Sequence, residues 1–199
     1  MRSLLPGVLA TALAATGAAA APKAPVKAHA AASAPAWLVD KAHSSIGFKG
    51  VLEGDAFQGS FRRWDAKIAF DPKALAASHV SVSVDTASAF TGNGDRDETM
   101  PTDDWFAIKR FPTASFVVTR FVDQGGGRYQ AIGDLTIKGV KRQVVLPFTL
   151  AIVGKTARMQ GSLVLDRTQF GVGSGKWKSG EEVGTQVTVN VNLTATRAG

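Results

Sequence analysis

The sequence predicts an all-β fold, an eight-stranded antiparallel up-and-down barrel with one short helix in the connection between its third and fourth strands. Three observations predict it. Apolar residues recur at every second position over long runs, as they do when one face of a strand is buried and the other is wet. Gly-rich or Lys-Gly turns separate the later runs, which makes neighbouring strands antiparallel hairpin partners. Helical periodicity is confined to a single short stretch.

The chain opens with a secretory signal. Arg2 supplies a positive start, Leu4 to Ala15 form a short apolar stretch, and Ala18-Ala19-Ala20 is a small-residue cleavage pattern, with the cut after Ala20. Residues 21–36 are an Ala/Pro/Lys tract with few large apolar groups. Such a tract buries too little surface to offset its chain entropy, so it reads as a flexible linker. The folded domain then spans 37–199.

Eight strand-like runs follow, at 37–53, 55–71, 80–90, 114–123, 128–138, 141–153, 156–166 and 183–197. In the third, Val80, Val82 and Val84 alternate with Ser81, Ser83 and Asp85. In the sixth, Val144, Leu146, Phe148, Leu150 and Ile152 share one face, and in the last, Val187, Val189, Val191 and Leu193 do. Gln124-Gly125-Gly126-Gly127 turns the fourth run into the fifth, and Lys138-Gly139 turns the fifth into the sixth. The helix is expected over Glu98–Lys109, with Asp103, Asp104, Trp105, Phe106 and Ile108 on an amphipathic cap, and a lesser turn at Pro72–Ser78. Residues 167–182, with four glycines, read as an irregular loop. Eight antiparallel strands fit either a sandwich or a barrel. Long strands with hairpin connections favour the barrel, whose interior either is filled by side chains or holds one small ligand.

Composition removes several function classes. There is no cysteine, so thiol nucleophiles, thiolate zinc sites and disulfides are absent. The formal charge is +7, or +6 once Arg2 leaves with the signal, but the basic residues are scattered and no Lys/Arg-rich run marks a nucleic-acid site. His29, His43 and His79 lack metal-ligand spacing, so no metal site is expected. His43 is expected to satisfy backbone groups where the first strand slips register, because Val39 and Ile46 have opposite parity. Asp103 and Asp104 are adjacent and point apart, which suits a helix N-terminus better than paired catalysis. Arg96-Asp97 and Asp166-Arg167 admit a head-group role, although arginines that tie loops at a barrel mouth are the commoner case. No nucleophile elbow or phosphate loop is present, so no enzyme activity is expected.

Several pieces in order resemble the YceI-like, polyisoprenoid-binding family. They are Trp37-x-Val39-Asp40-x-x-His43-Ser44-x-Ile46-x-Phe48, Gly59-x-Phe61, Ile68-x-Phe70-Asp71-Pro72 and Thr91-Gly92-Asn93-x-x-Arg96-Asp97. Trp105-Phe106, Phe111-Pro112, the stretch Gly133 to Val140 and the stretch Asp166 to Val172 complete the series. The resemblance spans 37–197 and implies a lipocalin-like barrel in the bacterial periplasm. It implies a polyisoprenoid or isoprenoid quinone held lengthwise inside, as carrier, store or sensor, with no other cofactor required. The implied ligand-binding walls are Phe48, Phe61, Ile68, Phe70, Val82, Val84, Phe116, Val118, Leu135, Ile137, Leu146, Phe148, Leu150, Leu163, Leu165, Val187 and Val189, with Trp105 and Phe106 closing one end. On this reading Phe148→Asp loses the ligand. Gly175-Lys176-Trp177-Lys178-Ser179 is similar to members associated with cytochrome b561-type membrane proteins, so the alternative role is an accessory subunit of a membrane redox system with a structural lipid. A homodimer is left open.

Overall fold

A computed structural model describes residues 33–199, so the expected signal at 1–20 and the expected linker up to residue 32 lie outside the described residues. Eleven strand segments form a single antiparallel sheet: β1 (Ala36–Val39), β2 (Ser45–Leu52), β3 (Asp55–Phe61), β4 (Trp64–Ala69), β5 (His79–Asp85), β6 (Ala89–Phe90), β7 (Thr113–Gly125), β8 (Arg128–Ile137), β9 (Val140–Val153), β10 (Thr156–Asp166) and β11 (Gln186–Arg197). The first six are three long strands, each broken once. β1 and β2 both pair with β11, β2 with β3 and β1 with β4, then β3 with β6 and β4 with β5. Joined in this way the sheet has eight members in chain order, and the last closes on the first as a lipocalin-like barrel. Ala34 is buried and Phe70 N–H donates to Pro35 C=O at 3.0 Å, so residues just before Trp37 also pack on the barrel.

Two of the breaks, β1/β2 and β5/β6, share a local cause with the end of β10. Asp40, Asp85 and Asp166 each accept a hydrogen bond from the backbone N–H two residues on, at 3.0, 2.9 and 2.9 Å, and each opens a 3-10 turn. This is the Asx turn, in which a short carboxylate competes with the ladder for a backbone donor. The first of these turns, Lys41–His43, explains the parity change between Val39 and Ile46. It also corrects the expectation for His43, whose Nδ1 faces the carboxylate of Asp40 at 2.8 Å and is exposed rather than meeting backbone groups.

The helix is displaced from its expected position. It runs over Gly94–Thr99, named α1 here, with Asn93 capping Arg96 N–H at 3.1 Å. Pro101 has no N–H to donate, so the helix cannot continue into Glu98–Lys109 as the sequence suggested. Residues 100–112 instead fold as successive turns, reversed at Ala107, which is fully buried with φ 49°. Asp103 and Asp104 therefore do not start a helix.

The two ends of the barrel differ. One is roofed by the 91–112 connection and the 167–185 loop, beside the Lys138-Gly139 turn, and is called the capped end. The other carries the 70–78 connection, the Gly125–Gly127 turn, the Gly154-Lys155 turn and the start of β1. Here Phe70, Phe121, Tyr129 and Phe148 make an aromatic plug, with centroid separations of 5.0 to 6.4 Å, and Trp37 Nε1 donates to Phe70 C=O at 2.9 Å. Edge-to-face contacts dominate this plug, as ring quadrupoles favour.

β7 bends where its register to β8 shifts between Val118 and Arg120. The bend brings the β7 backbone close over Gly133, where an added Cβ would press on Val117 C=O and stand 2.8 Å from Val118 Cα. Gly133→Ala is expected to destabilise the protein by about 1–3 kcal/mol through overpacking. A urea midpoint unchanged from wild type would show that the two strands can separate at this point.

Candidate functional site

The barrel encloses an apolar cavity. Inward positions of every long strand point at it because strand side chains alternate and antiparallel partners share a face. About 220 Å³ is open to the centres of water molecules, and Ser115 is the only polar residue among the thirty that line it. Apolar cavities of about 150 Å³ stay dry, so this one offers an organic ligand a water-poor interior. Along β9 the lining runs from Val144 to Ile152, a span of roughly 27 Å at the rise of an antiparallel strand. The site is thus long and narrow. A larger concavity of about 840 Å³ lies on the outer wall, over Gln58, Gln130, Gln160, Asn190 and Asn192, but it is open and polar and cannot shelter an apolar chain.

Sixteen of the nineteen sequence-derived positions line the cavity: Phe61, Ile68, Phe70, Val82, Val84, Phe106, Phe116, Val118, Leu135, Ile137, Leu146, Phe148, Leu150, Leu163, Leu165 and Val189. Three do not. Phe48 shares its strand face with Ile46 and pairs with Val189, but its ring lies over Gly59 against Phe61 at 5.3 Å and is outside the lining. Val187 pairs with Leu165 one step beyond Val189, toward the capped end, and lies outside the lining. Trp105 packs on Trp177 at 5.8 Å and under Arg167, where it roofs the cap while its neighbour Phe106 turns inward to meet Phe61 at 5.9 Å.

Fourteen lining residues escaped the sequence reading. Val144, Ile152, Val191 and Leu193 lay on alternations already recognised, and Trp37, Ile46, Val80 and Met159 share the parity of their strands. Phe121 could not be found by parity, because the bulge after Val118 switches which residues of β7 face inward. Ala114, Ala131, Ala157 and Ala195 carry little apolar signal, and Ser115 carries none.

The cap is held by backbone carbonyls gathered on two cations. Lys138 Nζ donates to the carbonyls of Asp103, Asp104 and Gly171 at 2.7, 3.3 and 2.8 Å, tying the 91–112 connection to the 167–185 loop. Partial burial holds the Lys138 ammonium below its ordinary pKa, with Asp104 working against that shift. Arg167, 4% exposed, donates to the carbonyls of Val172, Gly173, Trp177, Val183 and Gly184. Burial lowers its pKa, with Asp166 opposing, and the guanidinium stays charged. The Asp166 carboxylate turns to Thr168 N–H and Oγ1. At the other pair, Asp97 receives Thr91 N–H and Oγ1, both at 2.7 Å, while Arg96 Nε donates to Thr91 Oγ1 at 3.2 Å. Both acid–arginine pairs are thus engaged in holding loops. Asp104 receives Ser174 Oγ at 2.8 Å. Among the described residues, no group of three or more His, Cys, Asp or Glu side chains is close enough to hold a metal ion.

Comparison with known proteins fits this architecture. The family model of the YceI-like domain matches residues 37–195. A UPF0312 protein of Vibrio cholerae serotype O1 is 32% identical over 151 residues, covering 71% of this chain and 80% of the relative. The crystal structure of Burkholderia cenocepacia BcnA superposes with a TM-score of 0.77 at 33% identity, over 79% of this chain and 99% of that one. A domain from Saccharophagus degradans, described as polyisoprenoid binding and implicated in plant cell wall breakdown, shares the fold with a TM-score of 0.66 at 14% identity. The extent of the family match and the identity to these relatives establish that the chain belongs to the YceI-like family.

Proposed function

We propose that this protein is a periplasmic lipid-binding protein that holds a polyisoprenoid or quinone-like long-chain amphiphile inside the barrel, as carrier, store or sensor. The long cavity with one polar residue in its lining carries this reading. Each methylene moved from water into such an interior is worth about 0.8 kcal/mol, so a long chain binds without any charged anchor. An unfilled apolar cavity of this volume is destabilising by on the order of 5 kcal/mol, at about 24 cal/mol per Å³, which an occupant offsets. The isoprenoid class is chosen because the Saccharophagus degradans domain of the same fold is described as polyisoprenoid binding. The role needs binding and release, with no turnover. Trp177 packs on Trp105 and its carbonyl serves Arg167, so Gly175–Ser179 is engaged within the cap. That engagement favours the binding role over an accessory subunit docking a cytochrome b561-type protein through this segment.

Solvent extraction of the purified protein followed by mass spectrometry is expected to release an isoprenoid or quinone near one per chain, and the stripped protein is expected to melt at a lower temperature. Val189→Trp fills the cavity from one wall and is expected to reduce bound ligand by about tenfold or more, the equivalent of ~1.4 kcal/mol. Stripped protein that takes up no polyprenol from detergent would sink this function.

A further inference from the structure

The end of the barrel opposite the cap has an apolar rim. Leu38, Thr196, Thr156 and Val153 are successive partners across β1, β11, β10 and β9, so their side chains share the outer face of one rung. Leu38 is 67% and Val153 80% exposed. Beside them Ile152, 38% exposed, is the one cavity-lining residue that reaches the outer surface to this degree. The apolar wall of the cavity therefore continues onto the surface at this rim. Elsewhere on the described barrel, Val51, Val117, Val145 and Val164 are exposed on the side walls, away from the rim. The cap offers nothing comparable, since Trp105, Phe106 and Trp177 are all partly buried.

The charge around the rim also has a sign. Lys155 occupies the turn between Val153 and Thr156, Arg197 N–H bonds its carbonyl at 2.8 Å, and Arg158 lies two residues beyond Thr156 on the same outer face. The side-chain carboxylates at this end, Asp40, Asp71 and Asp123, are each engaged in a local turn, Asp40 with Ala42 N–H and His43, Asp71 with Lys73 N–H and Asp123 with Gly125 N–H. Exposed apolar side chains flanked by cations are the chemistry of contact with an anionic bilayer, in which the apolar groups enter the acyl boundary and the cations meet phosphates. The rim has no unpaired strand edge to offer a peptide, because the sheet is closed.

We propose that this rim docks the protein on anionic membranes and that the lipid passes between bilayer and cavity beside Ile152. This inference rests on the lipid-binding role proposed above, and it adds the surface and route of exchange. Docking orients the long axis of the cavity toward the bilayer, so an apolar chain moves between the two with little exposure to water.

The test uses the full chain with vesicles of phosphatidylglycerol and phosphatidylcholine, and a fluorescent polyprenol as cargo. Wild type is expected to float with the vesicles, less so as salt rises. Leu38→Asp with Val153→Asp is expected to weaken vesicle binding about tenfold or more and to slow transfer of the polyprenol from vesicles. Uptake of the same polyprenol from detergent should be unchanged in that variant, which shows that its fold and cavity survive. Vesicle binding equal to wild type in the double variant would overturn the docking surface and assign membrane contact to another face or to residues 1–32. Failure of wild type itself to take up polyprenol from detergent would instead remove the lipid-binding role.

Discussion

Phe148→Asp is expected to unfold the barrel, and not simply to empty it. Phe148 is 8% exposed, and its ring stacks on Tyr129 at 5.4 Å and meets Phe70 and Phe121 at 6.4 and 6.2 Å. Deleting a buried Phe costs about 3–5 kcal/mol from lost transfer energy and the cavity left behind. An aspartate adds a second cost, because an isolated carboxylate among aromatic rings must either take up a proton or pull water inward. Together these approach the total stability of many domains, roughly 5–15 kcal/mol. Circular dichroism and urea denaturation should show loss of the cooperative transition, while Phe148→Leu keeps it at a lower midpoint. A folded Phe148→Asp with a midpoint near wild type would mean that the aromatic plug is not part of the core. Loss of ligand in Phe148→Asp therefore cannot be read as loss of a contact. Val189→Trp is the cleaner probe, since it adds volume to the same cavity without removing a core residue.

The sequence made the barrel legible because its strands are long and one face of each is apolar over several residues. A one-residue slip in Val144 to Ile152 would turn all five apolar side chains into water, so that register had one solution. Fifteen of the sixteen cavity residues that the family resemblance implied follow the parity of their strands, and Phe106 comes from the cap connection. What parity could not see were local departures from it. Phe121 changes sides at a bulge that no residue type announces, and the alanines of the lining are too small to mark a face. The interruptions were legible in principle. Asp40, Asp85 and Asp166 each stand at the end of an alternating run and accept the N–H two residues later, a pattern that favours a turn over a ladder. The misplaced helix has the opposite lesson. Trp105, Phe106 and Ile108 suggested an amphipathic face, but their apolar character serves a folded-back cap. Asn93 and Pro101 were the better signals, one able to start a helix and the other unable to continue it. Trp105 was expected to close one end together with Phe106, and it does lie on the cap, but only Phe106 reaches the cavity, since hydrophobicity alone does not distinguish a side chain that faces a cavity from one that roofs it.

Arg167→Met is expected to cost about 3–5 kcal/mol and to release the 167–185 loop before the barrel itself melts. The guanidinium lies at the centre of that loop, and all five of its hydrogen bonds, from 2.6 to 3.0 Å, go to backbone carbonyls. Methionine is apolar and can lie along the space of the arginine stem, but it offers those carbonyls no donor. Hydrogen bonds from a charged donor are worth about 1.5–3 kcal/mol each, and the loss is less than their sum because loosened carbonyls regain water. Lysine cannot replace the fork, because three donors at one point do not reach carbonyls arranged around a plane. Gly173 shows how closely the loop is fitted: its φ is 74°, and a Cβ there would stand 2.9 Å from Arg167 Cζ. Hydrogen exchange should report the change as faster exchange at Val172, Gly173 and Gly184, whose N–H groups are bonded in the wild-type loop. The consequence extends to Trp105, which packs against both Arg167 and Trp177, and through its neighbour Phe106 to the closed end of the cavity. Faster release of a bound polyprenol from Arg167→Met, with the β8 and β9 amides still protected, would show that the arginine holds the lid. Equal release rates with a freely exchanging loop would show that ligand retention depends on the walls alone.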